Sequence, residues 1–161
     1  MILVRLTAVL LVASSVNLAL MVPGGFVETR IFTQYPIWII AGFNVVLSVL
    51  GLGSLILAAR IWRNGSVGLV SLFAGLLFAL VYLIDLAELF PISESPMSKL
   101  LFTLEWIGTV LGLALAVVGW RAHVQTRSNV QERAFLPRSA LIFLAVLVLL
   151  IVGFSTLKAL G

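Results

Sequence analysis

Tyr82-Leu-Ile-Asp85-Leu-Ala-Glu88-Leu-Phe-Pro91-Ile-Ser-Glu94-Ser-Pro96-Met-Ser-Lys99-Leu-Leu-Phe-Thr-Leu-Glu105 is the stretch on which the fold turns. An apolar helix ends here, the chain turns, and a second apolar helix begins. Four of the six carboxylates of the chain lie in it. Glu88 and Glu94, with Lys99, suit a solvated turn. Asp85 and Glu105 fall inside runs that otherwise read as lipid-spanning, where a carboxylate is costly and marks a functional or structural need.

The rest of the chain has the same character. Of its 161 residues 62% are hydrophobic and 10% charged, with a mean hydropathy of +1.24. That is the composition of a polytopic α-helical membrane protein. A β-barrel would alternate apolar and polar residues, whereas here the apolar runs are continuous. The absence of cysteine excludes thiol–disulfide chemistry and iron–sulfur ligation. The net charge of +4 is no nucleic-acid signal, because the basic residues cluster in two short loops beside apolar segments.

A span needs about 20 mostly apolar residues. Five segments qualify, at about 2–22, 37–60, 66–90, 98–120 and 139–157. The first is read as a retained helix rather than a cleaved signal peptide, since no clean small-x-small site precedes Pro23. Pro23-Gly24-Gly25 stops it, and Glu28 and Arg30 are expected to pair or meet headgroups in a solvated loop. Trp38 and Trp62 bracket the second span as interfacial aromatics do. Asn64-Gly65 is a turn pair, and Ser95-Pro96 suits the start of the fourth span, as N-cap and first helical residue.

Loops 60–66 and 121–138 carry six arginines against Glu132, while loops 23–36 and 91–99 balance Arg30 and Lys99 with Glu28 and Glu94. Basic loops stay in the cytoplasm. The expected fold class is therefore an all-α membrane protein with five transmembrane helices, N-terminus inside and C-terminus outside. Residues 1–120 would form a four-helix bundle, residues 121–138 a basic cytoplasmic loop, and residues 139–161 a peripheral fifth helix. The expected location is the bacterial inner membrane.

On this topology Asn17, Asn44, Asp85 and Glu105 all fall roughly 7–11 Å below the outer surface, one on each of the first four spans. Small residues share their faces. Glu105, Gly108, Gly112 and Ala116 form one stripe; Ser71, Gly75 and Ala79 form another that Tyr82 continues and Asp85 edges. Such stripes are helix-packing faces. Asn17, Asn44, Tyr82, Asp85 and Glu105 are thus the candidate ligand- or proton-binding set. Burial favours the neutral form of a carboxyl group, which then donates a hydrogen bond or carries a proton. The segment Asn17-Leu-Ala-Leu-Met-Val-Pro23 also resembles Asp85-Leu-Ala-Glu-Leu-Phe-Pro91, 68 residues on. The same offset pairs Trp38 with Trp106, so spans 1–2 and 3–4 read as a repeated hairpin.

The single histidine, His123, falls in a basic loop far from the acids, so neither a metal site nor intramembrane haem is expected. No cofactor or catalytic residue is assigned. The expected function is non-enzymatic: an outer-leaflet acidic pocket that binds or translocates a small solute or proton. A structural or accessory subunit of a larger membrane complex, or a self-associating protein, is the alternative. An intramembrane lipid or quinone enzyme ranks last, for want of a nucleophile.

Overall fold

The computed structural model describes residues 1–22, 27–28, 30–93, 95–126 and 138–159. The Pro23-Gly24-Gly25 turn, Glu94, and Arg127, Glu132 and Arg133 of the basic loop lie outside the described residues. Among those residues the chain forms five α-helices and no strand: α1 (Ile2–Leu20), α2 (Ile37–Asn64), α3 (Val70–Leu86), α4 (Lys99–Thr126) and α5 (Arg138–Ala159). Three of them, α1, α2 and α4, are long and apolar enough to cross a membrane.

The helix ends have local causes. α2 stops at Gly65, whose φ of 68° takes the left-handed conformation that an L side chain resists. α3 is shorter than the span expected at 66–90. It stops at Leu86 because Glu88, at φ 53°, reverses the chain. The Leu89 amide then donates to the Ile84 carbonyl at 3.0 Å and the Glu88 amide to that of Asp85 at 2.8 Å, which closes a Schellman turn. α4 begins at Lys99, with Ser98 rather than Ser95 as its cap: the Leu101 amide donates to Ser98 Oγ at 3.1 Å. α4 also runs six residues past the expected end at 120. It is held there by the α2–α3 loop, where the Val67 carbonyl accepts from His123 Nδ1 at 3.0 Å. His123 therefore sits on a helix, half-buried, rather than in a loop.

α3 and α4 form the most intimate pair, α1 packs on both α2 and α4, and α5 rests on α2. The α3–α4 seam is close because it lacks side chains. A Cβ on Gly112 would lie 2.7 Å from the Ala79 amide nitrogen, and one on Gly75 would strike the Ala116 backbone. Ser71 lies opposite Gly119 in the same seam, where a Cβ on Gly119 would sit 3.1 Å from that of Ser71. By contrast α2 and α3 barely touch. An open apolar cleft of about 440 Å³ runs between them, lined by Val46, Gly53, Phe73 and Val81 among others.

The two ends of the bundle sort by charge. Arg5 lies over the Trp62 ring at 5.9 Å, which places the start of α1 beside the end of α2, with Arg60 and Arg63. The other end is closed by the α1–α2 and α3–α4 loops. There Tyr35 Oη accepts from the Ile92 amide at 2.9 Å, and the Phe90 ring packs edge-on against Tyr35 and Phe43. α1 and α3 begin 68 residues apart, but α2 and α4 run in parallel at an offset of 62, Ile37 against Lys99 and Asn64 against Thr126. Trp38 and Trp106 are therefore not at equivalent helix positions.

Candidate functional site

The loop-closed end contains a buried ionic cluster, and its centre is a residue expected to be solvated. Arg30, 6% exposed, is folded inward between the helices. Its Nε donates to Glu28 Oε1 at 2.9 Å and its Nη2 to Glu28 Oε2 at 2.5 Å. The same Nη2 donates to Asp85 Oδ2 at 2.8 Å and lies 3.9 Å from Glu105 Oε1. Glu28 and Arg30 thus pair, as their spacing suggests, but not in solvent: Glu28 is 2% exposed. Three carboxylates in low dielectric require a cation. Of the cations near this end, Lys99 is exposed on the first turn of α4, Lys158 is exposed on the last turn of α5, and Arg30 is within reach. That requirement was the signal in the sequence that would have found Arg30.

Burial alone would push the Arg30 guanidinium down, but its hydrogen bonds to Glu28 and Asp85 more than compensate and hold it above its ordinary range. Arg30 is permanently charged. Its Nε and Nη2 donors are spent on Glu28 and Asp85. Glu105, with 0% exposure, has no hydrogen-bond partner among the described residues at either oxygen, and neither has Asp85 Oδ1. One guanidinium faces three carboxyl groups, and three acceptor atoms are left open.

Asn17 and Tyr82 lie beside this cluster. Asn17 Nδ2 donates to Tyr82 Oη and to the Leu104 carbonyl, each at 3.1 Å, which uses both amide hydrogens. These bonds tie α1 to α3 and to the turn of α4 that carries Glu105. Gly108 is small for their sake. A Cβ there would lie 2.6 Å from Asn17 Nδ2 and would strike the Tyr82 ring. Of the small-residue positions, Gly75, Gly112, Ala79 and Ala116 line the α3–α4 seam, while Gly108 opens the floor beneath Tyr82.

Asn44 is elsewhere. Its Nδ2 donates to Thr156 Oγ1 of α5 at 3.1 Å, so it joins α2 to α5 and does not meet the acids. Equal depth put Asn44 in the same layer, but it faces the opposite side of α2. A small cavity of about 20 Å³ adjoins the cluster, lined by Glu28, Arg30, Tyr82, Asp85 and, on the apolar side, Val81 and Leu47. That volume holds one water-sized group. No cluster of histidine, cysteine and carboxylate suited to a metal occurs among the described residues.

No curated protein and no solved structure matches the chain. One family does, over residues 3–134, a stretch that takes in all but the first residue of α1, the whole of α2 to α4, and stops before α5. The chain belongs to that family, described as a domain of unknown function (DUF8051).

Proposed function

We propose that this is a multi-pass integral membrane protein, non-enzymatic, whose acidic pocket near the outer face binds a proton and offers a site for moving a proton or small solute. Three helices of crossing length support membrane insertion. α3, about 26 Å long at 1.5 Å per residue, crosses alongside α4, to which its glycine face is fitted. α5 crosses against α2. The gathering of arginines 5, 60, 63 and 121 at one end supports a cytoplasmic placement of that end, and the proposed location is a bacterial inner membrane. The carboxylate cluster then lies toward the outside.

The observation that carries the reading is Glu105: fully buried, without a hydrogen-bond partner among the described residues, beside a guanidinium already engaged by two other acids. A cluster with one cation and three anions is strongly penalised in a low-dielectric site. A proton shared by Asp85 and Glu105 removes part of that penalty and supplies a donor for the open oxygens. Proteoliposomes with an interior pH-sensitive dye test transfer. After an external acid step the wild type acidifies faster than Asp85→Asn/Glu105→Gln. Equal rates would remove the translocation half of the proposal.

A second reading has its own observation. α5 rests on α2 alone among the described helices, which leaves its other faces, with Ile142, Leu149, Leu150 and Phe154, open to a partner helix of a larger membrane complex as well as to lipid. A stable lone monomer in mild detergent would count against it.

A further inference from the structure

The cleft between α2 and α3 and the ionic cluster share a wall. Val81 lines the cleft of about 440 Å³ and also the 20 Å³ cavity beside Glu28, Arg30, Tyr82 and Asp85. Asp85 is one helical turn beyond Val81. From Val70 to Val81 the cleft follows α3 for about 16 Å at 1.5 Å per residue, toward the cluster. Its lining is almost wholly apolar: Val45, Val46, Val49, Leu50, Phe73 and Leu77 are representative. α1 packs closely on α4, whereas α2 and α3 do not close on one another.

The chemistry at the two ends differs. The cleft suits an alkyl chain. The cluster has one guanidinium against Glu28, Asp85 and Glu105, so it favours a positive head over a negative one. Three acceptor atoms are without partners among the described residues: Asp85 Oδ1, on a residue that lines the small cavity, and Glu105 Oε1 and Oε2, on a fully buried residue behind it. A primary ammonium offers three donors and one positive charge. It is about the size of the water-sized cavity that opens on Arg30, Tyr82 and Asp85.

We propose that the α2–α3 cleft and the Arg30–Asp85–Glu105 cluster together form a binding site for a long-chain amphiphile with a primary ammonium head, its chain between the helices and its head on the carboxylates. This deepens the reading of the cluster as a proton site and rests on it: the ammonium takes the place of the shared proton, which is released on binding. Charge complementarity separates this occupant from a fatty acid, whose head would meet three carboxyl groups. The lateral opening between α2 and α3 lets a molecule enter from the bilayer, with no path through water.

The full chain in mild non-ionic detergent, assayed by native mass spectrometry, tests the site with three probes: hexadecylamine, palmitate and ethylamine. One hexadecylamine is expected to be retained, with palmitate and ethylamine held at least about tenfold more weakly, as a charge-assisted head contact and a buried chain each require. Gly53→Phe fills the cleft without a backbone clash, since nothing lies within 4 Å of a Cβ at Gly53. It should abolish hexadecylamine retention and leave the infrared band of the protonated carboxyl group in place. Glu105→Gln should weaken hexadecylamine at least about tenfold. Equal retention of hexadecylamine and palmitate, ethylamine bound as well as hexadecylamine, or Gly53→Phe without effect would each overturn the proposal. Loss of the carboxyl band from the wild type would instead overturn the proton reading, so the two failures are distinguishable.

Discussion

Arg30 Nη2 donates to Asp85 Oδ2 at 2.8 Å across 55 positions of sequence, joining the loop of the first hairpin to the last turn of α3. Glu28, in the same loop, holds the guanidinium from its other side, and the Arg30–Asp85 bond draws the pair into the bundle rather than leaving the loop over it. The closed end of the molecule is held by charge, and the open seam between α2 and α3 is left apolar.

Removing that guanidinium leaves buried carboxylates without a cation. Arg30→Leu should destabilise by about 3–5 kcal/mol. Adding Glu28→Gln and Asp85→Asn should restore a large part of the loss, because the uncompensated charges go with it. Unfolding in detergent, followed by circular dichroism, measures both. Arg30→Lys should recover little, since an ammonium cannot reproduce the two-pronged grip on Glu28.

The glycine seam gives a contrast between two similar substitutions. Gly75→Ala places a methyl group against the α4 backbone and should cost about 1–3 kcal/mol. Gly42→Ala meets nothing within 4 Å and should be neutral or stabilising by about 0.5–1 kcal/mol, the usual gain in helix propensity. Comparable effects at both positions would show that α3 and α4 are not in backbone contact.

Asn17 and Tyr82 are coupled through a 3.1 Å hydrogen bond. A double-mutant cycle of Asn17→Leu and Tyr82→Phe should return a coupling of about 0.6–1.7 kcal/mol, the range for buried polar contacts between membrane helices. A coupling of zero would separate the two side chains.

Glu88 holds a left-handed conformation that glycine adopts freely. Glu88→Gly should stabilise by about 1 kcal/mol, and Glu88→Val should destabilise by at least as much. If neither variant changes the melting temperature, the α3 stop has another geometry.

Much of the fold is legible in the sequence because it follows from hydropathy and turn chemistry: the helices, the Asn64-Gly65 turn and the small-residue faces all do. The details that escape it depend on tertiary partners. α4 runs past Trp120 because His123 and Thr126 bond the Val67 backbone, a contact from 56 residues away in the case of His123. Ser98 and Ser95 are equivalent as words, and the loop path selects Ser98. The candidate site is half legible. Asp85, Glu105, Asn17 and Tyr82 are readable from depth and facing. Arg30 and Glu28 are not, because a charged pair in a loop resembles any solvated pair until the neighbouring acids demand a cation. Depth likewise groups Asn44 with the acids, although helix rotation turns it to Thr156.

The cluster of Arg30, Glu28, Asp85 and Glu105 is central to the proposed function, which places a resident proton among its carboxyl groups. Infrared spectroscopy of the protein in lipid at neutral pH measures it. The expected result is a carboxylic-acid carbonyl band in the wild type that shifts in deuterium oxide and is lost or displaced in Glu105→Gln and in Asp85→Asn. A wild-type spectrum with no such band, or a band unchanged in both variants, would contradict the assignment.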